Sequence, residues 1–129
     1  MEDPIWISKE LTLAIHSRQL AEHGGQDGIR DEGLLESALA RPRQMFAYTD
    51  PAPDTPALAA AALAFGIARN HPFIDGNKRT AYVIFRTFMI LNGSDIQASL
   101  AERYEMFLGL AEGSVNEEQL ADWLRANSE

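Results

Sequence analysis

The sequence contains no cysteine among its 129 residues. Without thiols the chain has no disulfide scaffold, no thiol nucleophile and no thiolate ligand for zinc, and it suits a reducing compartment. Residues 1–4 are acidic and lack the apolar core of a signal peptide, so we expect a cytoplasmic protein rather than a secreted one. The longest uncharged run, residues 55–68, has 14 residues. A membrane helix needs roughly 20 apolar residues, so no membrane association is expected.

Positive charge is scarce as well. Eleven Lys and Arg stand against 19 Asp and Glu, which gives a formal net charge of −8. Such a field repels nucleic acids and anionic membranes, so neither is an expected partner. Residues 69–86 are the exception, with four basic side chains and one acidic, whereas the segments before and after carry net charges of −5 and −6. This short positive segment is the first indication of a functional site.

Alternating strand patterns of useful length are missing, whereas apolar residues recur at helical spacing. The sequence predicts an all-α fold with one domain over residues 1–129, which suits this length and a hydrophobic fraction of 46%. The predicted helices run from Ser8 to Gly24, from Asp31 to just before Pro42, from Pro56 to Arg69, from Lys78 to Asn92, from Leu100 to near Gly113, and from Asn116 onward. Residues 78–92 are apolar in nearly every direction, which predicts the buried central helix.

Between Arg41 and Pro56 the sequence is rich in Pro and Asp, which predicts a loop. Such a loop is either a plain connector or a flap over a site. Composition alone favours the connector.

The positive segment also holds the unusual chemistry, in the loop at residues 71–76 that opens directly into a helix. A helix start presents unpaired N–H groups and the positive end of a dipole, which bind phosphate, and Gly76 permits close backbone approach. Lys78 and Arg79 have the wrong sign for that first turn, which predicts an anionic ligand that offsets them. Arg86, two turns after Arg79, is predicted to reach the same polyanion.

Two side chains near this helix start suit phosphate transfer. Asp75 is a hard oxygen ligand, as needed for Mg²⁺ that bridges nucleotide phosphates. The imidazole of His71 suits removal of the proton from an attacking hydroxyl. Taken singly, His71 is more simply explained as a capping or packing residue, Asp75 with Gly76 as a turn, and Lys78 with Arg79 as solvated surface. Their combination within nine residues favours a functional site.

The ten residues His71-Pro-Phe-Ile-Asp-Gly-Asn-Lys-Arg-Thr80 closely resemble the signature of the Fic/Doc family, most of all its Doc (death-on-curing) toxin branch. The broader family pattern is His-x-Phe-x-Asp/Glu-Gly-Asn-Gly-Arg-x-x-Arg. The chain departs from it at Lys78, which replaces the second glycine as in the Doc branch, and at Tyr82, which replaces the final arginine. Residues 28–42 also resemble the N-terminal half of Doc-type sequences, so the resemblance covers nearly the whole chain.

This resemblance implies a compact helical fold and transfer of part of a nucleoside triphosphate to a protein hydroxyl, with ATP as substrate and Mg²⁺ as cofactor. Doc toxins are expected to phosphorylate a Ser or Thr of a translation factor, elongation factor Tu by resemblance, and to be held inactive by a partner antitoxin. Transfer of AMP, as in most Fic proteins, stays open as an alternative, and so does a catalytically silent partner-binding module. A zinc site is the least favoured alternative, because His16 and His23 lie far from the motif in sequence.

The family's functional residues carry over onto matching positions. By resemblance, His71 would be the general base and Asp75 would hold Mg²⁺. Gly76 and Asn77 would form the anion hole.

The remaining candidates are cations. By resemblance Lys78 and Arg79 would hold phosphates, with Lys78 also part of the catalytic set. Arg69, just before the motif, is a weaker phosphate candidate, and Tyr82 suits core packing better than chemistry. A lysine in the place of the glycine fills space and adds charge, and loss of the last arginine removes a triphosphate clamp. The nucleotide is therefore expected to bind in another orientation, which presents its γ-phosphate.

Overall fold

The computed structural model describes residues 3–50, 53 and 55–129, and this part of the chain folds into six helices. They are α1 (Lys9–His23), α2 (Glu32–Tyr48), α3 (Ala57–Asn70), α4 (Asn77–Leu91), α5 (Leu100–Glu112) and α6 (Glu117–Ala126). Within the described residues, extended pairing is limited to isolated bridges, Ile29 with Phe73 and Ile96 with Ser128. The all-α prediction is confirmed. None of the described helices is long and apolar enough to cross a membrane.

Helix starts follow the sequence closely. Ser8 and Asp31 each accept a hydrogen bond from the N–H three residues further on, at 3.1 and 3.0 Å, and so cap α1 and α2. At α6, Asn116 and Gln119 form a capping box in which each side chain bonds the other's backbone N–H at 2.8 Å. These caps satisfy donors that a helix start leaves unpaired, which is why a polar residue before an apolar period locates the start.

The end of α2 differs from the prediction. The helix continues for six residues beyond Pro42, so the predicted loop is wrong over its first half. Proline lacks the N–H of a helical hydrogen bond, which weakens a helix, but contacts on both sides of Pro42 hold α2 together. Before it, Arg41 forms a two-bond ion pair with Glu117 at 2.5 and 2.8 Å. After it, Phe46 packs edge-on against Trp6, with ring centroids 5.9 Å apart.

Residues 49–56 join α2 to α3. Residues 51, 52 and 54 lie outside the described part of the chain, and so does the interpretation of this stretch as a flap or a connector. Thr49 and Asp50 line a cavity together with Trp6.

The helix at the centre is α3. Ten of its 14 residues are buried, against seven of 15 in α4, and it packs against α2, α4, α5 and α6. The sequence correctly predicts a buried central helix but assigns that place to α4. α3 lies at the centre because its alanine side chains are small and let four neighbouring helices approach it at once. α4 contributes bulky core residues instead, among them Phe85, Phe88 and Met89.

A close approach between α2 and α3 occurs at Gly66. A Cβ atom at this position would lie 2.9 Å from the Cβ of Ala38 and 3.1 Å from its Cα. These are backbone and near-backbone atoms, which yield only if the helices separate. The spacing of α2 and α3 therefore requires glycine at 66.

Gly66→Ala should lower the free energy of unfolding by about 1–3 kcal/mol, because the added methyl group overpacks this contact. Gly33→Ala is the matched control in α2, where the nearest atom to the new Cβ, a carboxylate oxygen of Asp31, lies at 3.4 Å. That control should keep its stability or gain up to about 1 kcal/mol from helix propensity. Urea unfolding followed by circular dichroism measures both, and equal stabilities would contradict the prediction.

Candidate active site

The turn that joins α3 to α4, residues 71–76, begins and ends on left-handed backbone; we call it the motif turn. His71 has φ 51° and ψ 60°, and Gly76 has φ 77° and ψ 14°. Glycine adopts such angles freely, but His71 is the one non-glycine residue with positive φ in the described part of the chain. This conformation costs about 1–3 kcal/mol and persists only where the surroundings impose it.

Arg30 imposes the conformation of His71. Its Nε donates to the His71 carbonyl and its Nη2 to the Asn70 carbonyl, both at 2.6 Å. The backbone N–H of Arg30 donates to the carbonyl of Pro72 at 2.7 Å. These bonds terminate α3 and leave the His71 side chain exposed. Arg30 lies in the stretch 28–42 that resembles Doc-type sequences, but the sequence predicts no role for it, because it is 41 residues before His71.

Asn77 closes the motif turn from the inside. Its Oδ1 accepts from the Phe73 N–H and its Nδ2 donates to the Phe73 carbonyl, both at 2.9 Å. The N–H of Gly76 is also occupied, by the Oδ1 of Asp75 at 2.8 Å. The groups that remain for the predicted anion hole are the backbone N–H groups in the first turn of α4, because the start of this helix has no side-chain cap.

The carboxylate of Asp75 is anchored to the loop before α2. Its Oδ2 accepts from the Gln26 N–H at 3.2 Å. This approach needs glycine at 25, where a Cβ would lie 2.9 Å from that oxygen. The N–H groups of Gln26 and Gly76 lower the pKa of Asp75, and the positive charge of Arg79 acts in the same direction. The group is therefore ionised at neutral pH and exposed, which suits a divalent cation.

His16 reaches the motif turn from α1. Its Nε2 lies 2.8 Å from the carbonyl oxygen of Asp75, and its ring stacks on Phe73 with centroids 3.8 Å apart and planes at 8°. The side chain is 2% exposed. In the sequence analysis His16 enters only as an unlikely zinc ligand. The described residues contain no group of three or more His, Cys, Asp and Glu suited to a metal. The 59 residues between His16 and Asp75 hide this contact from sequence patterns.

Six of the residues predicted for the site line one cavity of about 330 Å³, the motif cavity: His71, Asp75, Gly76, Asn77, Lys78 and Arg79. Arg79 donates from Nη2 to the Gly24 carbonyl at 3.2 Å, while its Nε is buried without a partner in the described structure. Lys78 is exposed, and no carboxylate of the described residues lies within ion-pair distance of it. The exposed, unpaired ammonium of Lys78 and the guanidinium of Arg79 beside it fit phosphate oxygens.

Two predicted phosphate ligands do not line the motif cavity. Arg86 bonds the carboxylate of Asp95 through Nε and Nη2 at 3.1 and 3.2 Å, and this pair raises the pKa of Arg86 and lowers that of Asp95. Arg69 lies over the ring of Phe65, 5.7 Å from its centroid. Helical spacing puts Arg86 on the face of Arg79, but seven residues of helix separate them by about 10 Å. Arg86 pairs with the nearer carboxylate of Asp95 and lies outside the motif cavity, and its role as a phosphate ligand stays a prediction.

An apolar groove of about 520 Å³ adjoins the motif cavity, since Lys78 and Arg79 line both. Tyr82, Tyr104 and Phe107 contribute aromatic surface to this groove. Tyr82 meets Phe107 edge-on with ring centroids 5.2 Å apart, in keeping with the packing role predicted for it.

The model of the Fic/DOC family matches residues 6–89, which include the whole motif turn, so the chain belongs to this family. Protein kinase doc of Escherichia phage P1 is 33% identical over 119 residues, 92% of each chain. Toxin Doc of Mycolicibacterium smegmatis is 44% identical over 75 residues, 58% of this chain. That match spans 57% of the length of Toxin Doc. The resemblance inferred from the motif is confirmed.

Asp75→Asn should remove a pH-dependent stabilisation. Because the pKa of Asp75 is lower in the folded than in the unfolded chain, its ionised form stabilises the fold above about pH 4, and this contribution is lost as the pH falls through the folded pKa. The wild-type protein should therefore exceed the variant in unfolding free energy most at about pH 7 and least at about pH 3. Urea unfolding at both pH values is the measurement, and a constant difference would contradict the prediction.

Proposed function

We propose that the protein is a Doc-like toxin that transfers the γ-phosphate of ATP to a Ser or Thr hydroxyl of a translation factor and so arrests translation. The observation that carries the proposal is the motif cavity, where His71, Asp75 and two incompletely paired cations meet at an uncapped helix start. The names of the relatives, Toxin Doc and Protein kinase doc, support the same function. By family resemblance we also propose a cytoplasmic location, elongation factor Tu as the target and a cognate antitoxin as the inhibitor.

In this proposal the triphosphate binds at the start of α4, with its γ-phosphate in the motif cavity. The first-turn N–H groups and the helix dipole favour the anion, and Lys78 and Arg79 supply positive charge. The nucleoside extends into the apolar groove, which shares Lys78 and Arg79 with the cavity. A ligand held at both places presents its γ-phosphate beside His71.

His71 would act as the general base. Its imidazole takes the proton from the target hydroxyl as the hydroxyl oxygen bonds to the γ-phosphorus, and the bond from phosphorus to the β–γ bridging oxygen breaks. The products are the phosphorylated side chain, ADP and a protonated His71, which returns its proton to water. Exposure of His71 suits this role, because the hydroxyl arrives on another protein.

Asp75 is the residue that would hold Mg²⁺. Mg²⁺ usually takes one or two protein carboxylates and fills its remaining positions with water and substrate phosphates, so a single ionised Asp is a fitting ligand. The exposed carboxylate has further lone pairs besides those that accept from Gln26 and Gly76. When bound, the ion would neutralise charge on the transferring phosphate.

Labelled ATP tests the type of transfer. The purified protein is added to a translation-competent extract with ATP labelled at either the α- or the γ-phosphate. Protein labelling from the γ-position alone supports the kinase. Labelling from the α-position alone refutes it and makes the protein an AMP transferase.

His71→Ala should reduce transfer by about 10²–10⁴-fold, the typical loss on removal of a general base. The side chain is exposed on a turn, so the melting temperature should stay close to that of the wild type. The measurement is transfer of labelled phosphate together with growth arrest on expression. Activity within a few-fold of wild type removes His71 from this role, and intact growth arrest without transfer favours a silent binding module.

Lys78→Gly should reduce γ-phosphate transfer by about 10²-fold, because a cation that contacts the transferring phosphate is lost at the site. AMP transfer should appear weakly, and more strongly with Tyr82→Arg added. The chain's other lysine gives the matched control: Lys9→Gly also alters the first turn of a helix, where Lys9 pairs with Glu32 and Glu36, and should leave transfer unchanged. If Lys78 were only a solvated residue, its replacement would change stability by at most about 1 kcal/mol and leave transfer intact.

A further inference from the structure

The peptide that links Asp75 to Gly76 is held at both of its polar ends. Its carbonyl lies 2.8 Å from the Nε2 of His16, and its N–H donates to the Asp75 carboxylate at 2.8 Å. This peptide directly precedes the first turn of α4. Its orientation therefore sets the direction of both the Asp75 carboxylate and the first N–H groups of the helix.

The local sequence does not fix that orientation. Gly76 has φ 77°, and glycine populates positive and negative φ about equally, so rotation of the peptide meets little intrinsic resistance. The bond from Gly76 to the Asp75 side chain turns with the same segment. His16 comes from outside the motif turn, on α1, and its ring is fixed against the buried Phe73.

The chemistry of His16 also points beyond packing. A buried imidazole costs free energy unless its polar atoms are bonded, and an apolar side chain would fill the same space without that requirement. The side chain is 2% exposed, and Nε2 is directed at a single carbonyl oxygen, so Nε2 carries the proton and donates. This hydrogen bond explains the presence of a histidine at position 16 better than the space that its ring fills.

We propose that His16 is a positioning residue of the active site: its Nε2–H holds the Asp75–Gly76 peptide in the orientation that binds phosphate. The inference rests on the proposed phosphate site at the start of α4, and is independent of the target protein and of which phosphate is transferred. His16 itself touches no substrate and acts through Asp75.

Two variants separate the donor from the ring. His16→Phe keeps an aromatic ring against Phe73 but has no donor, whereas His16→Gln keeps a donor at similar reach but has no ring. Thr12→Val is the matched control, since Thr12 is buried one turn earlier on α1 and its hydroxyl bonds the Ser8 carbonyl within the helix at 2.9 Å.

The primary measurement is the affinity for inorganic tripolyphosphate, with the backbone amide resonance of Gly76 as a second. His16→Phe should weaken tripolyphosphate binding by about 10–100-fold and shift the Gly76 amide, as loss of a supporting partner does at metal sites. His16→Gln should restore most of the affinity. Thr12→Val should change the melting temperature only. In the transfer assay, the Phe variant should lose kcat more than the stability change explains.

Wild-type affinity and an unshifted Gly76 amide in His16→Phe would overturn the proposal. So would a Gln variant as weak as the Phe variant, an equal loss in Thr12→Val, or a wild-type protein that does not bind tripolyphosphate. If His16→Phe does not fold, the wild type decides: the His16 Nε2 proton must be protected from solvent exchange. If tripolyphosphate binding depends on His16 but no transfer from ATP occurs, the proposed function fails and the positioning role stands.

Discussion

The buried amide of Asn77 bonds both the N–H and the carbonyl of Phe73, and the geometry of the whole motif turn depends on this pair of 2.9 Å bonds. Phe73 is 1% exposed, so the pair of bonds ties the turn to the hydrophobic interior. Two other elements contact the motif turn that this pair fixes: α1 contacts it through His16, and the loop before α2 contacts it through Arg30. Because Asn77, Phe73 and His16 are buried, they hold the turn from within, while His71 and Asp75 remain exposed on it.

The start of α4 departs from the electrostatic pattern of the four helices that have a side-chain cap. α1, α2, α5 and α6 each begin with a side-chain cap and an acidic residue in the first turn, which complement the helix dipole. α3 and α4 have neither a side-chain cap nor an acidic residue there, and α4 in addition carries Lys78 and Arg79. The chain has a net charge of −8, so positive charge at this helix start is a local exception. It lowers the stability of the helix but favours the binding of an anionic ligand. The phosphate site proposed above makes sense of this departure.

The sequence predicts what depends on neighbouring residues and misses what depends on distant ones. The caps at Ser8 and Asn116 are local hydrogen bonds, so spacing alone locates them. Most of the residues predicted for the site likewise follow one another along nine positions and are brought to one cavity. The helix through Pro42 depends on partners from other elements, so propensity fails there. His16 contacts the turn across 59 residues, and no periodic pattern contains that information.

Two local costs lie at the motif cavity: the left-handed backbone of His71 and the positive charge in the first turn of α4. The left-handed backbone of His71 is held by Arg30 from behind the turn. Arg79, unfavourable at a helix start, gives one N–H to the carbonyl of Gly24 and keeps its buried Nε unpaired. A bound phosphate would supply the negative charge that the first turn of α4 lacks. In the proposed phosphate site the ligand would offset the positive charge of this first turn, whereas the cost at His71 is met by the protein itself.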